Sequence, residues 1–287
     1  MCVDNLSTGF KKNIKHLLSS PDFTFIKQDI TKSLPRSITS KSIKYIANLA
    51  SPASPPAYQR LALETLSVGS NGTLNMLELA RKKSARLLHA STSEVYGDPN
   101  LSPQPESYWG NVNSYGPRSM YDEAKRYSEA LIYSYKQKYK VSTVIVRFFN
   151  TYGPKMDPKD GRVVSNFVVQ ALSAKPLTVY GNGKQTRSFC YVDDLIRGIV
   201  VAIDSKEEGP INLGNPNEFT VIDLAKKVIK KTGTKSKIKY MPLPKDDPMQ
   251  RKPDITLAKK RLHWEPKIML DEGLDKVIPY FDDLLSK

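Results

Sequence analysis

The stretch ARLLHASTSEVYGD, residues 85–98, decides how this chain is read. Its first half, ARLLHA, is the apolar run of a buried strand. Its second half sets Ser91, Thr92, Ser93 and Glu94 side by side and adds an aromatic hydroxyl at Tyr96. Four polar side chains at the carboxyl end of a core strand cost stability unless they face a ligand. In open α/β sheets, ligands bind in the crevice beyond the carboxyl ends of the strands. Two other apolar runs end the same way, with Ser51 after ANLA and Asn150-Thr151 after VRFF. One such cluster is commonly a turn; three on successive strands point to a shared site.

Outward from that strand, DFTFIKQD (22–29), SIKYIANLA (42–50) and VSTVIVRFFN (141–150) are further strand signals, rich in β-branched and aromatic residues. Helical patterns over about 58–83 and 119–138 lie between them. Alternating strands and helices imply an α/β fold, a doubly wound parallel sheet of the dinucleotide-binding type. After residue 150 the pattern loosens. PLTVYGNG and SFCYV read as short strands and VDDLIRGIVVAID as a helix returning to the first domain. TVIDLAKKVIKKTG (220–233) carries helix signals at both ends, Thr220 with Asp223 and then Gly233. The expected division is a cofactor domain over 1–155, with 188–205 returning to it. A smaller mixed α/β domain for the substrate takes 156–187 and 206–287.

Composition narrows the class. The chain has 287 residues, 39% hydrophobic and 25% charged, ordinary for a soluble enzyme. No run approaches the roughly 20 apolar residues of a membrane span. Cys2 and Cys190 stand far apart, so a disulfide framework is not expected and a reducing cytoplasm fits. His16, His89 and His263 show no ligand spacing, and no metal is expected. The net charge of +15 could draw nucleic acid or anionic small molecules. The basic residues, however, are mostly lysines scattered in pairs such as Lys82-Lys83 and Lys226-Lys227, with no arginine block or aromatic stacking run. They read as a solvated surface, with neither nucleic acid nor membrane as partner.

YDEAK, Tyr121 to Lys125, carries the clearest chemical signal. On a helix, residues i and i+4 share a face, so the phenol and the ammonium point the same way. A nearby cation favours phenolate and brings a tyrosine toward the working range of a general base. YGNGK (180–184) has the same spacing, but its two glycines make it a turn. An isolated Tyr–Lys pair is usually a surface pair; with the polar strand end upstream, catalysis is favoured.

STSEVYGD, Tyr121-x-x-x-Lys125 and RFFNTYGP (147–154) together resemble the extended short-chain dehydrogenase/reductase family, whose members rework nucleotide-sugars with bound NAD. Within it the chain is most similar to the UDP-glucuronate decarboxylases, through NLASPASPPAY (48–58), DGRVVSNFV (160–168), PLTVYGNGKQTRSF (176–189), INLGNP (211–216) and DDPMQRKPDI (246–255). The resemblance implies a Rossmann-type domain and a homodimer built through the 70–83 and 119–138 helices. It implies decarboxylation of UDP-glucuronate to UDP-xylose through a transient 4-keto sugar. Related dehydratases carry STDEVYG, with an aspartic acid as proton donor. Ser93 at that position is a poor donor, which disfavours dehydration. The rival readings are a sister epimerase or dehydratase and a truncated, catalytically impaired member.

By family position, Tyr121 takes the O4 proton, Thr92 hydrogen-bonds O4, and Ser93 and Glu94 line the reacting end, with Glu94 ordering a carboxylate pocket or a water. Lys125 holds the nicotinamide ribose. Arg187 and Arg251 are the candidates for the substrate's anionic groups, as planar guanidinium forks suit them. Arg162, Asn150, Val164, Tyr180 and Gln185 are expected along the uridine side. For NAD, Asp4 should meet the adenosine ribose, followed by Asn5, Ser7, Thr8 and Gly9. Asp29 and Ile30 should lie near the adenine, and Leu49, Ala50, Ser51 and Thr151 along the remaining cofactor edge.

Two features depart from the family. SVGSNGT puts Gly69 where an asparagine is usual, and glycine weakens a helix by up to ~1 kcal/mol relative to alanine. The glycine-rich phosphate turn is not in the sequence, as if the first strand of the sheet were missing. MCVDN reads as strand interior, so the expectation is an upstream strand and glycine turn. NAD binding by the 287-residue chain should accordingly be weak and its activity low.

Overall fold

The computed structural model describes residues 1–244, 246 and 248–286. It opens with two short parallel strands, β1 (Cys2–Asp4) and β2 (Phe25–Lys27), which among the described residues pair with each other alone. After α1 (Arg36–Thr39) and β3 (Tyr45–Asn48) comes a broken helical run: α2 (Pro55–Arg60), α3 (Ala62–Ser67) and α4 (Thr73–Lys83). Strand β4 (Arg86–Thr92), the 21-residue helix α5 (Ser119–Tyr139) and β5 (Thr143–Phe148) complete the first half. The second half runs β6 (Thr151–Tyr152), α6 (Val163–Leu172), β7 (Leu177–Tyr180), β8 (Thr186–Ser188), β9 (Cys190–Tyr191) and α7 (Val192–Asp204). It continues through β10 (Ile211–Leu213), β11 (Glu218–Thr220), α8 (Val221–Thr232), β12 (Ile238–Met241), β13 (Gln250–Arg251), α9 (Thr256–Leu262) and α10 (Leu270–Leu285).

The main sheet is parallel, in the order β10-β5-β4-β3. Side chains of a strand alternate between faces, and here both faces are buried. Leu87 and Ile145 pack with Leu77, Ala80 and Ile132 under α4 and α5. Leu88, Val144 and Val146 pack with Leu195, Ile199 and Trp264 under α7 and α9. Helices on both faces force the continuous apolar runs seen in the sequence.

The second body has its own core, in which Phe167, Val168, Leu224, Val228, Leu274 and Phe281 join α6, α8 and α10. The small sheets β11-β8-β13 and β12-β7 cover it. Thr220 caps α8 as expected, accepting from the Asp223 amide at 3.1 Å, and Gly233 ends that helix at φ 64°.

Two boundaries differ from the sequence expectation. The expected division gave 206–287 to the second body, yet β10 hydrogen-bonds to β5 and α9 packs against the same sheet. The first body therefore takes chain from well beyond residue 205. The helix expected over 58–83 is interrupted at Leu61 (φ −114°, ψ 47°) and again by a π-helical turn over Val68–Gly72. Gly69 in that turn touches α5: a Cβ there would stand 2.7 Å from the Ala124 Cβ. Ser128 donates to the Gly69 carbonyl at 2.7 Å. Close helix approach, not helix stability, sets the residue at 69.

Candidate active site

The polar end of β4 divides into two functions. Ser91 is turned inward and donates to Glu129 at 2.5 Å, and Arg147 holds the same carboxylate at 2.7 and 3.0 Å. Arg147 also donates to the Tyr96 hydroxyl at 2.9 Å, which donates to Asn212 at 2.8 Å. Ser91 and Tyr96 thus belong to a buried brace linking β4, α5, β5 and β10. Thr92 and Glu94 face the other way. The Thr92 hydroxyl accepts from the Glu94 amide at 3.2 Å, capping a 3-10 turn over Ser93–Tyr96.

That turn delivers Glu94 to two guanidinium groups. Its Oε2 lies 2.6 Å from Arg118 and 3.0 Å from Arg251. Arg251, 1% exposed, also donates to the Ser93 carbonyl. Burial works to raise the Glu94 carboxyl, but the charges of Arg251 and Arg118 outweigh it and bring it down to about 2. Arg187 adds to that field from β8, and it donates to the Thr186 carbonyl at 2.8 Å. Of the two arginines expected at the substrate's anionic groups, Arg251 is therefore paired with Glu94, and Arg187 acts on it through its charge. Asp247, within the run that carries Arg251, lies outside the described residues.

Tyr121 and Lys125 lie one turn apart on α5, both buried. The Thr92 hydroxyl stands near the Tyr121 phenol and works to lower its proton affinity. The sequence led us to expect Lys125 to pull this phenol toward ionisation, and here the structure corrects it. The Lys125 ammonium donates to the Ala90 carbonyl at 2.8 Å and sits 5.8 Å from the Tyr121 ring centre. Burial raises Tyr121 to about 12, with Thr92 and Arg162 lowering it only in part. Burial likewise brings Lys125 down to about 8.

Three residues at this centre escaped the sequence reading. Arg118 precedes α5, and only its position three residues before Tyr121 hinted at it. Asp122 is buried beside Glu94 and has one carboxyl oxygen without a partner. Burial and the Glu94 charge raise it to about 7. Tyr58, in α2, stacks on Tyr121 with ring centres 5.0 Å apart and planes 9° from parallel. It sits inside a motif-bearing run, but nothing in the sequence says which ring it meets.

The remaining substrate candidates lie in the chain after β5, and Arg162 is the one that acts on this centre. Arg162 is held by Asp160 at 2.5 and 2.9 Å and acts on Tyr121. Val164 and Gln185 are buried, and Gln185 donates to the Tyr180 carbonyl at 2.7 Å, leaving the Tyr180 ring exposed. Asn150 carries a backbone link to Cys190 at 2.9 Å, and Thr151 donates to the Phe149 carbonyl at 2.8 Å.

The cofactor candidates gather at the ends of β1, β2 and β3. Asp4 accepts from the Leu6 amide at 2.6 Å, and a Cβ on Gly9 would stand 3.3 Å from its other oxygen. Glycine there keeps a side chain off that face of the carboxylate. Asn5 donates to Asp29 at 3.3 Å and accepts from the Ser7 amide at 2.9 Å, while Thr8 continues the same turn. Asp29 also accepts from the Thr31 amide and hydroxyl at 2.8 Å. Ile30 is buried, Leu49 and Ala50 are exposed, and Ser51 donates to the Pro52 carbonyl at 3.0 Å. These residues fit the adenosine end of NAD, and Tyr121 with Lys125 fits its nicotinamide end.

Comparison with known proteins agrees with this geometry. The profile of the GDP-mannose 4,6 dehydratase family matches residues 1–277. UDP-glucuronic acid decarboxylase 1 of Xenopus tropicalis is 48% identical over 279 residues, 97% of this chain and 65% of the relative. UDP-glucuronic acid decarboxylase 5 of Arabidopsis thaliana is 49% identical over 272 residues, 95% of this chain and 78% of the relative. The chain thus spans about two thirds of the first relative's length and more of the second's. Among solved structures, UDP-glucuronic acid 4-epimerase from Bacillus cereus, in complex with UDP-glucuronic acid and NAD, superposes with a TM-score of 0.86. It is 28% identical, covering 95% of this chain and 86% of its own. UDP-glucose 4-epimerase from Thermotoga maritima, with UDP-glucose, gives 0.89 at 28% identity, covering 99% and 90%.

Proposed function

The chain belongs to the GDP-mannose 4,6 dehydratase family and, within it, to the group of the UDP-glucuronic acid decarboxylases; on that premise we propose that it converts UDP-glucuronate to UDP-xylose with bound NAD. The observation that carries the proposal is the Thr92–Tyr121 pair set beside Glu94 and its two guanidinium groups. A proton acceptor for a sugar hydroxyl thereby stands next to a charged pocket suited to a carboxylate.

Tyr121 and Lys125 would hold the nicotinamide end of NAD, which would supply a reversible hydride acceptor for the sugar C4. Tyr121 removes the O4 proton, and Thr92 orients that oxygen. Since burial holds the phenol near 12 in the protein alone, it needs a cation in reach, and Arg162 is the one that acts on it in the fold. The C4 ketone is β to the C5 carboxylate, so the bond to the carboxylate carbon breaks and its electrons pass into the C4–C5 enolate. Carbon dioxide leaves, C5 takes a proton, and O4 recovers one from Tyr121. Ser93 offers no acid for a departing hydroxyl, which separates this chemistry from dehydration.

Two further readings go with it. The 70–83 and 119–138 segments expected at a dimer contact expose Leu74, Tyr127 and Tyr133, and Ser70 and Tyr127 line a groove of about 500 Å³. A second copy covering that face gives a homodimer. A cytoplasmic location suits two free cysteines, Cys2 and Cys190. Among the described residues no helix is long and apolar enough to cross a membrane.

The test is product analysis with UDP-glucuronate and NAD in large excess. Carbon dioxide and UDP-xylose should appear in equal amounts with no net NADH. A 4-epimer or a 4-keto-6-deoxy sugar in their place refutes the decarboxylase assignment.

A further inference from the structure

Two buried carboxyls stand in the reacting centre, and they are served unequally. Glu94 accepts from Arg118 and Arg251 on one oxygen, at 2.6 and 3.0 Å. Asp122 is 5% exposed, and its Oδ1 has no hydrogen-bond partner. The charged groups acting on Asp122 are Glu94 in the turn after β4, Arg118 ahead of α5, Arg251 in β13 and Glu123 beside it on α5. The phenols of Tyr58, in α2, and of Tyr121 lie within its field. A buried carboxylate with an unpaired oxygen, next to a second carboxylate, is disfavoured as a charge. The geometry thus holds Asp122 neutral, and its titration is displaced up to about 7 by burial and by Glu94.

A uronic acid brings a further carboxylate to this centre. With its O4 at Tyr121, the substituent on the adjacent carbon, C5, comes close to the pocket around Glu94. Its negative charge then adds to that of Glu94, and like charge favours the protonated form of a carboxyl. A hexose with a neutral C5 substituent brings no such charge. Resting on the decarboxylase reading, we propose that Asp122 takes up a proton when a uronate binds, so that the preference for UDP-glucuronate over UDP-glucose depends on pH. Asp122 is in this a positioning residue, removing its own charge from the pocket as the substrate's arrives. It holds its proton more tightly in the complex than in the free protein. Uronate binding is therefore unaffected well below pH 7 and weakens as pH rises through that value.

The experiment is calorimetric titration with UDP-glucuronate and UDP-glucose in excess NAD, in the Tyr121→Phe background to prevent turnover, with and without Asp122→Asn. Running each titration in phosphate and in Tris, whose ionisation heats differ, reads the protons exchanged on binding. Near pH 7.5, UDP-glucuronate should take up about half a proton or more, and UDP-glucose none. Asparagine keeps the shape of the side chain and cannot titrate, so Asp122→Asn should abolish the uptake. Above pH 7 the affinity for UDP-glucuronate relative to UDP-glucose should fall by up to about tenfold per pH unit with Asp122, and stay level with asparagine. Binding of UDP-glucuronate without proton uptake overturns the inference alone. Uptake that survives Asp122→Asn, or that is equal for both ligands, overturns it as well. Failure of UDP-glucuronate to bind at all overturns it together with the decarboxylase reading.

Discussion

The two ends of the crevice are built differently. At the reacting end, β4 is buried along nearly its whole length, and Ser91 with the turn that follows is tied to α5, β10 and β13 by side-chain hydrogen bonds, two of them to charged groups. At the cofactor end, no residue before Ile30 is buried, and among the described residues β1 and β2 pair with each other alone. Most side-chain bonds there link near neighbours, such as Asp4 to Leu6 and Asn5 to Ser7. Local opening is cheap where apolar contacts are few and backbone bonds are exposed. The protein holds its acid–base groups rigidly and leaves the cofactor edge to be ordered by what binds.

Arg251→Ala should show the contrast most strongly. Removing one partner of a buried ion pair typically costs 3–5 kcal/mol. Arg118 still holds Glu94, so the lower part of that range is expected in urea unfolding. Asp4→Ala, at the exposed edge, should change stability by less than about 0.5 kcal/mol. Equal losses at the two positions would erase the distinction.

Tyr121→Phe comes next, with turnover falling at least ~10²-fold and substrate binding largely kept. Steady-state kinetics with excess NAD reads both. A loss confined to KM would move the base elsewhere.

Asp122→Asn sharpens the account of the braced end through pH. The folded protein holds the Asp122 proton up to about pH 7, whereas the free side chain releases it near 3.8. The native state therefore binds the extra proton between those values, and the wild type loses stability as pH rises through that window. Asparagine carries no such penalty. The variant should gain on the wild type from pH 4 to 7 and hold its advantage above that, as thermal melts across pH would show. An advantage that shrinks with rising pH would mean Asp122 is ionised in the fold. Smallest of all, Lys227→Ala removes an exposed pair with Asp271 at 2.7 Å and should cost no more than about 1 kcal/mol, with activity unchanged.

The sequence made the sheet legible where burial dictates pattern. Leu87-Leu88 and Val144–Val146 are apolar because both faces are covered, and the polar residues after them mark the crevice. It made Tyr121, Lys125 and Glu94 legible because their chemistry goes with a motif. The broken helix over 58–83 stayed hidden because its apolar spacing continues across Leu61 and the Gly69 turn, and the approach of Ala124 to Gly69 is a contact between elements. Tyr58, Arg118 and Asp122 stayed hidden because their roles come from contacts across elements. The raised Tyr121 phenol was missed for the same reason: i,i+4 spacing places Lys125 on the right face, but depth of burial fixes the proton affinity.

Hydrogen–deuterium exchange on the protein without ligands tests the central contrast most directly. Amides of Leu87–Thr92 and Val144–Phe148 should exchange at least about tenfold more slowly than those of Cys2–Asp4 and Phe25–Lys27, a difference of ~1.4 kcal/mol in opening free energy. Equal protection of the two groups would contradict the account, since the cofactor edge would then be as firmly held as the reacting end.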